Sequence, residues 1–148
     1  MSRAFWLAVC LFLSACSTTS TVHQPTTAGT SGPYGYSFEN YGGDDLAAIA
    51  ELDRTIQRTL RDAGVFVPGT DAPRIEITVT HFYVRSNGAR FWAGVMAGRD
   101  KISSRIRIVD AAGTQLADFE VESTNATALG SSGGLMEKHA AEILSRLR

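Results

Sequence analysis

The chain has 148 residues, of which 14 are basic and 15 acidic, giving a formal net charge of −1. This length predicts one domain, and the near-zero charge excludes a strongly basic nucleic-acid binder and an acidic disordered protein. Two cysteines are too few for a disulfide scaffold, and no apolar run approaches the ~20 residues of a membrane-spanning helix.

The amino terminus has the pattern of a bacterial export signal. Arg3 precedes an unbroken apolar run, residues 4–13, which is too short to cross a bilayer but typical of a signal peptide. Residues 13–16 then read Leu-Ser-Ala-Cys, which resembles the lipobox of bacterial lipoproteins. That resemblance implies a signal peptide of residues 1–15, diacylglycerol on the Cys16 sulfur, and a fatty acid such as palmitate on the new amino terminus. A plain secreted protein and an uncleaved anchor are the alternatives.

Cleavage before Cys16 changes the chemistry available to the protein. It removes Cys10 and Arg3, so the mature net charge is −2 and the one remaining cysteine carries lipid. Disulfide formation and cysteine catalysis are then excluded. The residue after Cys16 is Ser17, not the aspartate associated with inner-membrane retention, so the resemblance implies an outer-membrane lipoprotein facing the periplasm.

Residues 16–35 are predicted to form a lipidated, flexible tether. Between positions 17 and 35, 14 of 19 residues are Ser, Thr, Gly or Pro, and none is charged. Such a composition buries too little apolar surface to offset its ordering entropy. A tether of about 20 residues typically reaches ~25 Å. The remaining residues, 36–148, are predicted to form a single domain.

The first half of this domain predicts a helix followed by a strand. Asp44 and Asp45 offer N-cap oxygens, and apolar residues then recur at threes and fours until Gly64, a suitable C-terminal stop. Alternation follows, with apolar residues at 75, 77 and 79 and polar residues between them. This period of two predicts a strand with one wet face.

A hairpin and a second helix complete the predicted domain. Strands 102–109 and 115–123 flank a turn at 110–114, and their pattern predicts Ile106 opposite Phe119 on the core side. Opposite charges then meet on the wet side, Arg105 with Glu120 and Arg107 with Asp118. The last helix begins near position 134. We therefore expect an α+β two-layer sandwich, with two helices on one face of a three- or four-stranded, mainly antiparallel sheet. A strand over residues 36–41 is left open.

The sequence offers weak catalytic signals. Residues 130–134 match G-x-S-x-G around Ser132, but the only downstream histidine, His139, lies on the same predicted helix, and about 113 residues cannot build a hydrolase sheet. His81 and His139 both fall in phase with buried faces and are predicted to be core or rim histidines and not ligands. No paired metal-ligand spacing appears. We expect no catalytic residue, metal or cofactor.

One apolar, glycine-spaced segment, residues 91–98, has no structural assignment in this pattern. Its large side chains are the candidate partner-binding residues: Phe91, Trp92, Val95 and Met96. An exposed patch of this kind is typical of a contact with a partner protein or a membrane surface. The alternative is that the segment packs against its own domain.

Several of these stretches together resemble a known family. They are residues 90–98, residues 106–113 with their Val-Asp-Ala-Ala-Gly turn, and the Gly-Gly pair at 133–134 leading into the last helix. They resemble the bacterial lipoproteins grouped as a domain of unknown function, number forty-four ten, over about residues 45–148. The family has no established activity, so the resemblance implies no catalytic residues. The short stretch 36–41 departs from the clear first strand common in such proteins.

These observations predict a lipid-anchored outer-membrane lipoprotein, facing the periplasm. We expect a non-catalytic binding or envelope-assembly module with a protein partner in the cell envelope and no nucleic-acid partner. The alternative is a small-ligand-binding or hydrolytic lipoprotein that uses Ser132, His81 or His139.

Overall fold

The computed structural model describes residues 16–26, 32–69, 73–85, 99–125 and 131–148. They form a five-stranded sheet in the order β1-β5-β4-β3-β2, in which the β2–β3 pair is parallel and every other pair is antiparallel. Two helices complete the fold. In chain order the elements are β1 (Cys16–Gln24), β2 (Gly35–Asn40), α1 (Leu46–Asp62), β3 (Arg74–Tyr83), β4 (Asp100–Val109), β5 (Gln115–Asn125) and α2 (Ser132–Arg146).

This architecture confirms the α+β class and corrects the predicted sheet. The expected three or four strands are five, and the sheet is mixed because β2 runs parallel to β3. The stretch that the sequence left open, residues 36–41, contributes β2. Its apolar side is formed by Tyr36 and Phe38, which pack against the core, and the Tyr36 hydroxyl donates to Asp53 Oδ1 of α1 at 2.6 Å.

The predicted tether is wrong over its first part. Cys16–Gln24 forms the edge strand β1, which pairs with β5 from Cys16↔Asn125 onward. The Ser/Thr composition that indicated a flexible segment is also compatible with a strand, since threonine and valine are β-branched. In β1 the hydroxyls bond to the neighbouring strand: Ser17 Oγ lies 2.9 Å from Thr124 Oγ1.

The β4–β5 hairpin has the predicted register over its central residues. Arg105 is paired with Glu120, Ile106 with Phe119 and Arg107 with Asp118, and the register shifts only at Val109. The turn between the strands is closed by the Asp110 carboxylate, which accepts from two backbone N–H groups at 2.8 Å. These hydrogen bonds lower the pKa of Asp110, the one from Thr114 most strongly.

Both helices begin with the side-chain caps that such sequences favour. Asp45 Oδ1 accepts from Ala48 N at 3.0 Å, and Ser131 Oγ accepts from Gly134 N at 3.0 Å. After α1 the chain reverses through Gly64 at φ 70°, a conformation that glycine adopts without a steric penalty. The predicted helix from residue 46 to the Gly64 stop is thereby confirmed.

The core lies between the helices and one face of the sheet. Its fully buried side chains come from both helices and from the inner faces of the central strands, among them Leu52, Leu60, Ile77, Ile106, Phe119, Leu135 and Ile143. The other face of the sheet carries the charged residues. One face is therefore apolar and packed while the other is wet, as the alternation in the sequence predicts.

The predicted buried phase of His81 is wrong. The β3–β4 register shifts between Val79 and His81, and this irregularity inserts one extra residue into β3. The phase of the strand therefore changes: Phe82 is 7% exposed and belongs to the core, whereas His81 faces solvent. A bulge of this kind leaves no mark in a simple alternating pattern.

Candidate functional site

Cys16, the predicted lipidation site, lies at one end of the sheet. It is the first residue of β1 and pairs with Asn125, the last residue of β5, which in turn pairs with Asp100, the first residue of β4. We call this end of the sheet, marked by these three residues, the Cys16 end. Cys16 is therefore itself part of the sheet.

The remaining elements bring two further strand ends and two helix starts to the Cys16 end. Tyr83, the last residue of β3, pairs with Lys101, and Phe82 N donates to Gly42 O just beyond β2 at 2.8 Å. The helices run back from this end, since α1 follows β2 directly and α2 follows β5. Surface properties at this end are thus set by loops and helix N-termini.

The candidate partner-binding residues Phe91, Trp92, Val95 and Met96 lie outside the described residues. The described residues on either side of them show where this segment joins the fold. Arg85 lies two residues beyond β3, and Arg99 immediately precedes β4. Both attachment points of the predicted partner-binding segment are therefore at the Cys16 end.

A buried ion pair joins these two attachment points. Arg85 Nε donates to Asp100 Oδ1 at 2.9 Å, and the Arg85 backbone N donates to the same oxygen at 3.0 Å. The Asp100 side chain is fully buried and that of Arg85 is 4% exposed. Separating the two side chains would leave a buried, unpaired charge, which is strongly destabilising, so the pair holds the two chain segments together. No sequence pattern predicts this contact.

Three large hydrophobic side chains are exposed at the Cys16 end. They are Tyr41, 77% exposed beyond β2, Leu46, 72% exposed at the start of α1, and Tyr83, 49% exposed at the end of β3. We call these three residues the apolar rim. The Tyr41 hydroxyl donates to Glu39 Oε2 at 3.2 Å, which leaves its ring in solvent. The sequence pattern did not indicate these residues, because each lies at the boundary of an element.

An open cleft of about 250 Å³ lies beside the apolar rim, between the N-termini of the two helices. Its lining includes Asp45 and Glu51 from α1, Ser132 and Met136 from α2, and Arg85 from the end of β3. Acidic, basic and apolar groups therefore face a single cleft. Chemically, it is suited to contacting a small polar molecule or a side chain.

His139 is a satisfied core histidine, as predicted. It is fully buried, with Nδ1 3.0 Å from Ser123 Oγ on β5 and Nε2 3.0 Å from Ser104 Oγ on β4. Ser123 Oγ also lies 3.1 Å from Thr18 Oγ1 on β1. Burial lowers the pKa of His139 to about 4, so the imidazole is neutral at pH 7. These four residues, the His139 network, connect α2 to three strands.

The three residues of the hydrolase alternative lie in three separate places. Ser132 is the first residue of α2, while His139 is seven residues further on, a rise of about 10 Å along the helix. Both ring nitrogens of His139 already face serine hydroxyls that are themselves fully buried. His81 is exposed on β3. No nucleophile–base pair is formed among them.

The basic residues of the hairpin are paired on the wet face of the sheet. Arg105 donates to both carboxylate oxygens of Asp118, with Nε 3.0 Å from Oδ1, and Arg107 Nη2 lies 3.0 Å from Glu76 Oε2. Arg105 holds the pKa of Asp118 below its ordinary value, mainly through these hydrogen bonds. The Arg105–Asp118 pair is diagonal to the β4–β5 register, whereas Arg107 bonds to Glu76, its direct Cα partner on β3. Both arginines are thus neutralised by carboxylates of neighbouring strands.

Among residues 16–26, 32–69, 73–85, 99–125 and 131–148, no cluster of three or more His, Cys, Asp or Glu is placed to hold a metal ion. Within the same residues, neither helix is long and apolar enough to traverse a membrane.

Comparison with known proteins identifies the family. Residues 44–128 match the family described as Domain of unknown function (DUF4410). The chain belongs to this family. The resemblance drawn from the sequence motifs is thereby confirmed over residues 44–128, which contain the loop and turn motifs. No curated protein matches the sequence.

Two solved structures share the fold of this DUF4410 protein. A PelC dodecamer from Paraburkholderia phytofirmans superposes with a TM-score of 0.56 at 14% identity, covering 89% of this chain and 96% of that one. A methionine-substituted variant of the same PelC dodecamer gives a TM-score of 0.58 at 15% identity with the same coverage. At these identities, the likeness concerns the fold alone.

Proposed function

We propose that this DUF4410 protein is a lipid-anchored lipoprotein of the bacterial outer membrane, facing the periplasm, that acts as a non-catalytic assembly module. The observation that carries the proposal is the position of Cys16. It ends a lipobox-like sequence, Leu-Ser-Ala-Cys, after an apolar run of signal-peptide length, and it also lies in the edge strand β1. Ser17 at the following position favours the outer membrane.

The assembly role is supported by three features at the Cys16 end and beyond it. The apolar rim exposes three large side chains, and the predicted partner-binding segment, residues 91–98, is attached at the same end. The two PelC structures described above, which share this fold, are dodecamers. We infer that the partners of this protein include further copies of its own chain, through contacts that involve Phe91, Trp92, Val95 and Met96.

Lipidation is tested by metabolic labelling with a palmitate analogue. The wild-type protein is expected to incorporate the label, and Cys16→Ala is expected to lose it. Cys10→Ala is the matched control, because it also removes a cysteine but leaves the lipobox intact, and it should be labelled like the wild type. Labelling of Cys16→Ala at the wild-type level refutes the anchor.

Assembly is tested by crosslinking in intact cells followed by mass measurement of the adducts. Trp92→Asp places a charge in the predicted contact segment and is expected to abolish adducts between copies. Val67→Asp is the control, since Val67 is 43% exposed but lies beyond the opposite end of the sheet. Equal adduct yields from wild-type protein and both folded variants contradict the proposed contact.

The 250 Å³ cleft favours one second candidate, a small-ligand-binding or hydrolytic lipoprotein. Ser132 contributes to the lining of the cleft, together with two carboxylates and Arg85. A hydrolytic role predicts that Ser132→Ala removes an activity towards ester substrates in the purified protein. Retained activity in that variant, or none in the wild type, excludes Ser132 as a nucleophile.

A further inference from the structure

The way in which β1 begins determines how far the domain can lie from a membrane. Cys16 pairs with Asn125, Ser17 pairs with Thr124, and Ser17 Oγ lies 2.9 Å from Thr124 Oγ1. A tether of about 20 residues allows a separation of ~25 Å. With Cys16 itself in the sheet, no such separation is available. Whatever holds Cys16 at the bilayer also holds the end of the sheet there.

The apolar rim is close enough to Cys16 to meet the same surface. Adjacent strands lie about 4.8 Å apart, so β3 is about 14 Å sideways from β1 and β2 about 19 Å. β2 itself ends level with Val79, and the Phe82 N–Gly42 O hydrogen bond brings the chain after β2 level with the end of β3. Tyr83 ends β3, while Tyr41 and Leu46 follow β2. The rim and Cys16 therefore occupy one end of the molecule, within the width of the sheet.

The chemistry of the rim matches the boundary between lipid headgroups and acyl chains. Tyrosine is enriched at this boundary because its ring is apolar and its hydroxyl remains hydrated. Among the described residues near the rim the charges are mixed: Glu39, Asp44 and Asp45 are acidic, Arg99 is basic, and Lys101 is paired with Glu122. These described charges give no electrostatic preference for anionic lipid, so the surface that fits is a zwitterionic phospholipid bilayer.

We propose that the Cys16 end is a membrane-docking surface, with Tyr41, Leu46 and Tyr83 inserted into the headgroup region of the bilayer around the anchor. This inference rests on the proposed attachment at Cys16. The apolar run of residues 4–13 ends three residues before Cys16, so an acylated and an uncleaved amino terminus both hold this end against the bilayer. The docked domain contacts lipid directly and does not hang from a tether.

Fluorescence quenching in phosphatidylcholine vesicles tests the docking surface. In the lipidated mature protein Cys16 is blocked, so a cysteine introduced by Tyr83→Cys is the only free thiol for an environment-sensitive dye. Dye at this position is expected to shift to the blue and to be quenched by nitroxide-labelled lipid several-fold more than dye introduced by Val67→Cys. Equal quenching at the two positions, or none at either, overturns the proposal.

A second measurement separates docking from anchoring. Adding Tyr41→Ser and Leu46→Ser to the Tyr83→Cys protein should reduce quenching while the protein still floats with the vesicles. Unchanged quenching contradicts a role for the rim. The mass of the purified protein reports acylation independently, and an unacylated chain refutes the anchor. Docking is then measured in a Cys10→Ser, Cys16→Ser background, in which Tyr83→Cys is again the only thiol: quenching there supports docking, and its absence refutes it. An acylated chain without quenching refutes docking alone.

Discussion

Replacing His139 by glutamine is expected to remove a specific pH dependence of stability. In the folded protein this imidazole is fully buried between Ser104 and Ser123, and its pKa is lowered to about 4 from an ordinary value of 6.5. The unfolded chain therefore binds a proton as the pH falls through 6.5, whereas the folded chain does not. Acidification thus favours unfolding, and the loss levels off only near pH 4.

The size of the effect follows from the difference between the two pKa values. Each unit is worth about 1.4 kcal/mol, so the complete shift corresponds to roughly 3 kcal/mol and the part between pH 6.5 and pH 5 to about 2 kcal/mol. Carboxylates with lowered pKa, such as Asp118 and Glu142, lose their contribution only at lower pH. The window from pH 6.5 to pH 5 therefore isolates the histidine.

Urea unfolding at a series of pH values, monitored by far-ultraviolet circular dichroism, measures this term. For wild-type protein the free energy of unfolding should fall by about 2 kcal/mol across the window, about 1 M in urea midpoint. His139→Gln is less stable at pH 8, because glutamine cannot reproduce both serine contacts, but its slope in the window should be flatter by that amount. Identical slopes in the two proteins refute the reasoning, whatever their absolute stabilities. An NMR titration of the imidazole gives the folded pKa directly.

Three further substitutions test the fold by urea unfolding at pH 7. Ile106→Ala, in the fully buried β4 face, should cost about 3 kcal/mol through lost burial and a cavity; a cost below about 1 contradicts the packing. Gly113→Ala should cost about 1 kcal/mol, since φ is 81° there, whereas Gly133→Ala in α2 should be neutral or stabilising. Asp118→Asn should cost about 1–2 kcal/mol by weakening the Arg105 pair, and equal stability of the two proteins at pH 7 argues against it.

The sequence predicts correctly those parts of the fold for which several independent sequence signals require the same structure. In the β4–β5 hairpin the apolar alternation, the turn residues and the opposite charges all require one register, and a slip of one residue would invert every side chain. Ile106 accordingly lies opposite Phe119. The first helix is similarly defined by Asp45 at its start, the apolar spacing along it and Gly64 beyond its end.

The predictions fail where the amino-acid composition is compatible with two structures, or where a local irregularity changes which side chains of a strand face the core. The residues of β1 are polar enough to be a tether, and only pairing with β5 makes them a strand. That partner is more than 90 residues away in sequence, so no local pattern contains it. The bulge after Val79 has the same effect on a smaller scale, because it moves Phe82 into the core and His81 out of it.

Candidate site residues are predictable to different degrees for similar reasons. Cys16 is encoded by a contiguous motif and needs no structure to be identified. His139 is found by helical periodicity, because the last helix is regular. The apolar rim and the Arg85–Asp100 pair depend on how strand ends meet in space. Side chains at element boundaries have no period, so their exposure or burial follows from the tertiary fold alone.

A docked Cys16 end restricts how copies of the chain can meet. Every copy anchored in the same leaflet stands with this end on the bilayer and with the Asp110 turn about 33 Å away, the length of a ten-residue strand. Symmetry operations that invert a molecule relative to the membrane are therefore excluded, and only rotation about the membrane normal remains.

Edge strands β1 and β2 run antiparallel to one another, so neighbouring upright copies can pair these edges with ordinary antiparallel geometry. Pairing β1 with β1 of a second upright copy places the two strands parallel about a twofold axis, where N–H groups face N–H groups. Contacts through the sheet edges are thus head to tail, and they close into a ring where the rotation between neighbouring copies divides a full turn.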